Sequence, residues 1–258
     1  MIASDATPEQ IRAACRSGAL QGATSGLALG YVQTNLVILP RAEAFDFLLF
    51  CQRNPKPCPL IEVLDAGAIE PRCAPGADLR HDLPGYRVYE AGELVAEPGD
   101  VAPLWRDDLV SFLIGCSFSF EAALMRAGIR LRHVDEARNV AMYLTNRDCI
   151  PAGRFAGRLV VSMRPIKAHQ VALAVEVSAR YPDVHGAPVH IGAPEALGID
   201  DLARPDFGEA VAILPDEVPV FWACGVTPQA VMRASRAPFC ITHIPGRMFV
   251  TDRPEPAV

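Results

Sequence analysis

Apolar and polar residues are spaced along this 258-residue chain in stretches typical of helices and in stretches typical of strands. Thr7, Pro8 and Gln10 form the start signals of a first helix, with a capping box and a proline in the first turn, and Gly18 ends it. A second helix is predicted after Pro40, because apolar residues recur on one face until the run RNPKPCP.

The middle of the chain has strand, hairpin and helix signals. Residues 60–64 are predicted as a short buried strand, and residues 86–89 and 94–96 as a hairpin around Ala91-Gly92. A helix is predicted over 107–114, where acidic residues precede an apolar run. Another is predicted over 120–127, with Ser119 as its cap and Gly128 as its end.

Strand-like segments and one helix-like segment, near 168–180, make up residues 129–189, which we predict to be a smaller two-layer α+β unit. Strands are then expected at 210–213, 218–223, 239–243 and 248–251, with a helix that starts at Thr227-Pro228. This alternation predicts an α/β fold, in which residues 1–128 and 190–258 form a three-layer α/β/α main domain with a mixed sheet.

Composition narrows the class of protein. Half of the residues are hydrophobic and 21% are charged, which is typical of a compact folded protein. The net charge is −6 and the basic residues are scattered, so no nucleic-acid partner is expected. The apolar runs are shorter than the roughly 20 residues of a membrane span, and the first residues lack a signal-peptide pattern. We therefore expect a soluble cytoplasmic protein with no membrane partner and with eight free cysteines.

The segment VPVFWACGVTPQ predicts a ligand-binding turn. A strand ends at Cys224-Gly225 and a helix begins at Thr227, so unpaired N–H groups face the end of the strand. Ligands of open α/β sheets bind at such edges, which makes these three residues candidates for binding substrate. A well-formed turn that binds nothing is the alternative.

The segment LIGCSFSFE gathers groups able to move protons. Glu121 is the candidate for proton transfer, Ser117 and Ser119 are candidate hydrogen-bond donors, and Cys116 is a candidate nucleophile. A carboxylate in a first helical turn is also ordinary capping chemistry, which remains the alternative.

Arginines next to turns are candidates for holding a substrate carboxylate, because a guanidinium pairs with a carboxylate through two hydrogen bonds. Arg53, Arg106 and Arg164 are the candidates, although most arginines serve as surface or structural residues. His243 is a further candidate for substrate contact. His185 and His190 lack metal-ligand spacing, and the common nucleotide motifs are absent, so no cofactor or metal is expected.

Several long strings resemble the hydro-lyase family of bacteria, which is also described as the D-glutamate cyclase family. They run from about Thr24 to Asp252 and read TSGLALGYVQTNLVILP, FDFLLFCQRNPKPCPLIEV, LWRDDLVSFLIGCSFSFE, HGAPVHIG, VPVFWACGVTPQ and ITHIPGRMFVTD. The resemblance implies a soluble α/β protein with a three-layer and a two-layer part. It also implies conversion of D-glutamate to 5-oxo-D-proline with loss of water, but it supplies no catalytic residue.

The sequence leaves three functions open. The first is this cofactor-free cyclisation of a small carboxylate. The second is dehydration of another hydroxy acid, with a metal held by His190, His243 and an acidic residue. The third is a carboxylate-binding module without turnover. The sequence does not decide whether the chain forms a homo-oligomer.

Overall fold

Strands β1 to β11 and helices α1 to α6 form two sheets with helices packed on them in the computed structural model, which describes residues 6–255. The larger sheet has the strand order β2-β5-β1-β10-β3-β4, and β11 continues β10 along the same side of β1. Its strands are β1 (Tyr31–Pro40), β2 (Leu60–Val63), β3 (Tyr86–Glu90), β4 (Glu93–Ala96), β5 (Leu109–Gly115), β10 (Phe239–His243) and β11 (Phe249–Pro254).

The smaller sheet has the order β6-β7-β9-β8. Its strands are β6 (Ala141–Asp148), β7 (Arg158–Lys167), β8 (His190–Ile191) and β9 (Glu217–Ala223). The helices are α1 (Pro8–Arg16), α2 (Arg41–Arg53), α3 (Phe118–Arg126), α4 (Arg132–Asp135), α5 (Val171–Ala179) and α6 (Thr227–Ala234).

Each sheet buries an apolar face against helices. Phe47 and Phe50 of α2 pack with Val231 and Met232 of α6 on the larger sheet. Helices α3 and α5 cover the smaller sheet, where Trp222 is fully buried. Within residues 6–255, no helix is long and apolar enough to cross a membrane.

The predicted α/β fold with a large and a small sheet is confirmed. Every ladder between the described strands is antiparallel, however, which differs from the mixed sheet that we expected. Strands β1 and β2, which α2 connects, run in the same direction but do not pair with each other. Strand β5 lies between them and runs in the opposite direction, so both ladders are antiparallel. The smaller sheet also includes β8 and β9, which lie beyond the boundary predicted at residue 189.

Two predicted elements are wrong. Residues 109–115 form β5 rather than part of a helix over 107–114, because β5 is a central strand that is buried on both faces. Such a strand has no alternation of apolar and polar residues, so its pattern resembles a buried helix. The strand expected at 210–213 is irregular backbone, and two of its carbonyls accept hydrogen bonds from Arg132 and Arg138.

Local signals predicted the first helix and the hairpin correctly. The Thr7 side chain accepts from Gln10 N while the Gln10 side chain accepts from Thr7 N, which confirms the capping box. The hairpin of β3 and β4 turns at Ala91 and Gly92, both at positive φ. Helix α3 begins at Phe118, one residue before the predicted cap Ser119.

Candidate active site

Two turns that connect a strand to a helix meet between the sheets. One joins β5 to α3 at Cys116 and Ser117, and the other joins β9 to α6 at Cys224 and Gly225. Both cysteines belong to one buried apolar group, the turn cluster, which also contains Phe118, Val140, Met142, Val160, Val226 and Met248. The two segments that the sequence singled out separately therefore flank one place in the structure.

Asn35 of β1 connects these turns. Its Nδ2 donates to Ile114 O at 3.2 Å and to Gly115 O at 2.9 Å, at the end of β5. A Cβ at Gly225 would lie only 1.9 Å from Asn35 Nδ2, so this position of the β9 turn accepts no side chain. Gly225 serves close packing of the two turns rather than conformational freedom, because its φ is not positive.

We predict that Gly225→Ala lowers the free energy of unfolding by about 1–3 kcal/mol, the usual cost of overpacking a buried site. The added methyl displaces Asn35 and thereby the end of β5. Denaturant unfolding measures the loss. Gly99→Ala is the matched control, because a Cβ at Gly99 meets nothing within 4 Å. Equal stability of the two variants would contradict the close packing of the turns.

A buried charged cluster of Glu121, His133 and Arg164 lies beside the β5 turn. Glu121 Oε1 accepts from Arg164 Nη2 at 2.6 Å, from Arg164 Nε at 3.1 Å and from His133 Nε2 at 2.9 Å. Glu121 is 2% exposed and Arg164 is fully buried. An ion pair so far from solvent is a costly arrangement, and it persists only where hydrogen bonds satisfy both partners.

Further contacts fix the Arg164 guanidinium. Its Nη2 donates to Ser117 Oγ at 3.0 Å and its Nη1 to Ser162 Oγ at 3.1 Å. The ring centroids of Phe120 and Trp222 lie 5.4 and 5.3 Å from its Cζ. The Ser117 hydroxyl is therefore held by a cation at the start of α3, where the helix dipole adds positive potential.

Glu121 stays ionised in this setting. Burial by itself raises its pKa, but the charges and hydrogen bonds of His133 and Arg164 outweigh burial and lower the pKa of Glu121 to about 2. A permanent carboxylate at neutral pH favours a role in holding charged partners over a role in carrying a proton.

His185 is not among the site residues that we predict from the sequence. It is 1% exposed and adopts a φ of +84°, a backbone conformation rare for residues other than glycine. Its Nδ1 lies 2.8 Å from Lys56 O, and because a carbonyl only accepts, Nδ1 carries the proton. Its buried Nε2 has no hydrogen-bond partner among the described residues.

Burial lowers the pKa of His185 to about 4; the backbone carbonyls of Lys56 and Gly115 oppose this lowering, and the charges of Arg164 and Lys56 add to it. His185 is therefore a neutral imidazole with a free lone pair, close enough to the charged cluster to sense Arg164. The turn before it packs on β5, since a Cβ at Gly115 would lie 2.0 Å from Asp183 O. The signal available in the sequence was the string HGAPVHIG, in which a histidine precedes a glycine.

The loop before β1 covers the carboxylate of the charged cluster. Half-buried Ser25 donates to Glu121 Oε2 at 3.3 Å. Thr24 joins this loop to the turn between β10 and β11, because Thr24 N donates to Gly246 O and Thr24 Oγ1 accepts from Met248 N.

Three other predicted site residues make structural contacts. Ser119 Oγ accepts from Gln33 N at 2.9 Å, and Thr227 Oγ1 accepts from Val160 N and donates to Cys224 O. His243 Nδ1 accepts from Leu36 N at 3.1 Å, at the point on β1 where β10 gives way to β11. These contacts occupy the side-chain groups that we had expected to face substrate.

Two predicted arginines lie outside the charged cluster. Arg106 is exposed, pairs with Asp108 at 2.9 Å and lies over the Phe239 ring. Arg53, at the end of α2, is exposed and donates to Pro151 O. Among the predicted arginines, the structure brings Arg164 together with Glu121 and Ser117.

The two cysteines of the turns are protonated thiols at neutral pH. Burial raises the pKa of Cys116 well above its usual range, and it raises the pKa of Cys224 to about 11 despite a hydrogen bond from Val226 N. A thiol so hard to ionise is a poor nucleophile, and both side chains pack in the turn cluster. All eight cysteines are free in the structure.

No group of three or more histidine, cysteine, aspartate or glutamate side chains in residues 6–255 is arranged to hold a metal ion. The buried histidines instead bind protein groups, as His133 binds Glu121 and His243 binds Leu36 N.

Comparison with known proteins shows the family to which this chain is related. The family model described as D-glutamate cyclase matches residues 110–252, which include both turns, the charged cluster and His185. A protein of Rubrobacter xylanophilus with the name "Putative hydro-lyase" is 64% identical over 95% of each chain. The chain belongs to the D-glutamate cyclase family. A Streptomyces avermitilis protein of the same name is 61% identical over 95% of this chain and 89% of its own length.

Membership in the D-glutamate cyclase family confirms the predicted resemblance, and it confirms an enzyme of the hydro-lyase type at the level of the family. Among solved structures, a nitrogen repressor-like protein from Methanococcus jannaschii aligns over 91% of each chain, with a TM-score of 0.41 and 10% identity.

Proposed function

We propose that this member of the D-glutamate cyclase family converts D-glutamate to 5-oxo-D-proline with loss of water. The observation that carries the proposal is a neutral imidazole with an unpartnered Nε2, His185, held beside a buried glutamate–arginine pair at the start of a helix. The family description supports the choice of substrate.

The reaction needs proton transfer and charge stabilisation, and its nucleophile is part of the substrate. The amine attacks the side-chain carboxyl, a C–N bond closes a five-membered ring, and a C–O bond breaks to release water. Because the amine is tethered to the carbon it attacks, little entropy is lost on ring closure. The protein has to move two protons from the ammonium nitrogen to the carboxylate oxygen that leaves as water, and it has to stabilise a tetrahedral oxyanion.

The described residues can divide these tasks. His185 Nε2 is proposed to accept in turn the two protons that the ammonium loses and to pass them to the carboxylate oxygen that leaves as water. The Ser117 hydroxyl, oriented by Arg164, is proposed to donate to the oxyanion at the start of α3. Glu121 then acts as a positioning residue that keeps Arg164 and His133 in place.

The predicted site residues of the two turns are proposed to shape the substrate site without taking part in the chemistry; they are Cys116, Cys224, Gly225 and Thr227. Their turns set the distance between β5 and β9, and the substrate is proposed to bind between them after the loop that carries Ser25 has moved away from Glu121. Arg53 and Arg106 have no part in the proposed mechanism, because both are engaged at the surface.

Purified protein should convert D-glutamate to a product lighter by one water, and should do so faster than it converts L-glutamate. Mass spectrometry and chromatography against authentic 5-oxo-D-proline measure the product. Protein inactivated by denaturation controls for the slow uncatalysed cyclisation. Loss of water from a hydroxy acid with neither glutamate enantiomer reacting would replace this proposal with a dehydratase. Tight binding of glutamate without turnover would replace it with a binding module.

A further inference from the structure

A cavity of about 490 Å³ lies between α6 and the paired strands β6 and β7, and no member of the charged cluster lines it. Its apolar lining comes from Leu144 of β6, Phe207, and Ala230 and Ala234 of α6. The cavity is therefore separate from the candidate active site, and it has its own chemistry.

Two arginines on different elements line this cavity. Arg158 is the first residue of β7 and Arg233 lies in the last turn of α6. Both are exposed, and neither forms a salt bridge within the part of the chain that the structure describes. Some exposed arginines are paired with acidic neighbours, as Arg130 is with Asp135 and Arg180 with Glu176, whereas Arg158 and Arg233 keep their charges available to a ligand.

One acidic side chain completes the lining. Asp206 Oδ2 accepts from Leu144 N at 2.7 Å, which fixes the carboxylate against β6. With Arg158 and Arg233 the charged lining carries a net charge of +1. Two guanidinium groups separated by an apolar surface complement two anionic groups joined by a short hydrocarbon chain, because each guanidinium pairs with one carboxylate.

We propose that this cavity is a second binding site, specific for a small dicarboxylate whose methylene chain lies against Leu144, Phe207 and Ala230. The carboxylates bind Arg158 and Arg233. Phe207 and Ala230 also pack against the turn cluster of Cys116 and Cys224, so an occupied cavity contacts side chains that support both turns of the candidate active site. The proposal concerns binding and does not depend on the proposed reaction.

Calorimetric titration with glutarate tests the site, since glutarate has two carboxylates and no amine and therefore cannot cyclise. Arg158→Ala and Arg233→Ala should each weaken glutarate binding by about tenfold or more, because each removes charge-assisted hydrogen bonds. Arg72→Ala is the matched control, since Arg72 is an exposed arginine outside this cavity. The Arg72→Ala variant should bind glutarate as tightly as the unaltered protein does.

Asp206→Asn should strengthen glutarate binding, because it removes the negative charge from the lining while an amide oxygen still accepts from Leu144 N. Equal affinities in the unaltered protein and in both arginine variants would place glutarate elsewhere and overturn the site. If Arg72→Ala weakened glutarate binding equally, the effect would come from the net charge of the protein, which would also overturn the site. Inorganic phosphate that binds as tightly as glutarate would overturn the assignment to dicarboxylates.

Discussion

Glu121→Gln should lower the free energy of unfolding by about 3–5 kcal/mol at pH 7, since it leaves the buried Arg164 charge without a carboxylate. The pKa of Glu121 gives a similar magnitude. A lowering from 4.5 to about 2 corresponds to about 3 kcal/mol of preferential stabilisation of the folded carboxylate. Urea unfolding of both proteins at pH 7 measures the difference.

The same pKa shift sets the sign of the pH dependence. The unfolded chain protonates Glu121 near pH 4.5, whereas the folded protein keeps the carboxylate ionised down to about pH 2. The stabilisation is therefore fully present above the unfolded pKa and is lost as the pH falls through the folded pKa. The difference between Glu121→Gln and the unaltered protein should narrow as the pH falls from 4.5 towards 2.

Two further variants test whether the stability lost in Glu121→Gln comes from breaking a buried ion pair or only from the change in net charge. Glu176→Gln breaks an exposed pair with Arg180 and should cost no more than about 0.5 kcal/mol. The double variant Glu121→Gln/Arg164→Gln should recover part of the stability lost in Glu121→Gln, because no unpaired charge remains buried. A loss from Glu121→Gln as small as that from Glu176→Gln would contradict the charged cluster.

His185→Asn should reduce turnover of D-glutamate by about 10²- to 10⁴-fold, the usual contribution of a general acid or base. Asparagine retains a donor where Nδ1 of the imidazole donates to Lys56 O, and it tolerates the positive φ of this position. It lacks only the group corresponding to Nε2. Turnover per folded molecule is the measurement, with the fraction folded taken from circular dichroism.

Stability against pH provides a readout independent of activity. Because the folded pKa of His185 is about 4 and its ordinary value is 6.5, the unfolded chain binds more protons between these values. The unaltered protein therefore loses stability as the pH falls from 6.5 to 4, and His185→Asn should lose less. His243 has a similarly lowered pKa but is present in both proteins, so the comparison isolates His185.

His190→Asn is the control for the His185 variant, because His190 belongs to the same HGAPVHIG string and its Nε2 bonds only to Ala193 O. Its turnover should match that of the unaltered protein. Normal turnover in His185→Asn would remove His185 from the mechanism.

Local sequence determined those elements whose signals depend on neighbours along the chain. The Thr7 capping box specified the start of α1, and Ala91-Gly92 specified the hairpin, because hydrogen bonds and backbone conformations within a few residues decide both. The string ACGVTPQ likewise indicated a turn from a strand to a helix, which is present, and GCSFSFE indicated the start of a helix, although the element before it is β5 rather than the predicted helix.

Tertiary structure decided which of these pieces form the site. Residues 109–115 became a strand because β1 and β2 flank them, although their own pattern also fitted a helix. Arg164, one of several arginines beside turns, differs from Arg106 only through its burial between Glu121, Ser117 and two aromatic rings. The unpartnered Nε2 of His185 arises from packing between segments far apart in the chain, and spacing along a sequence carries no record of such contacts.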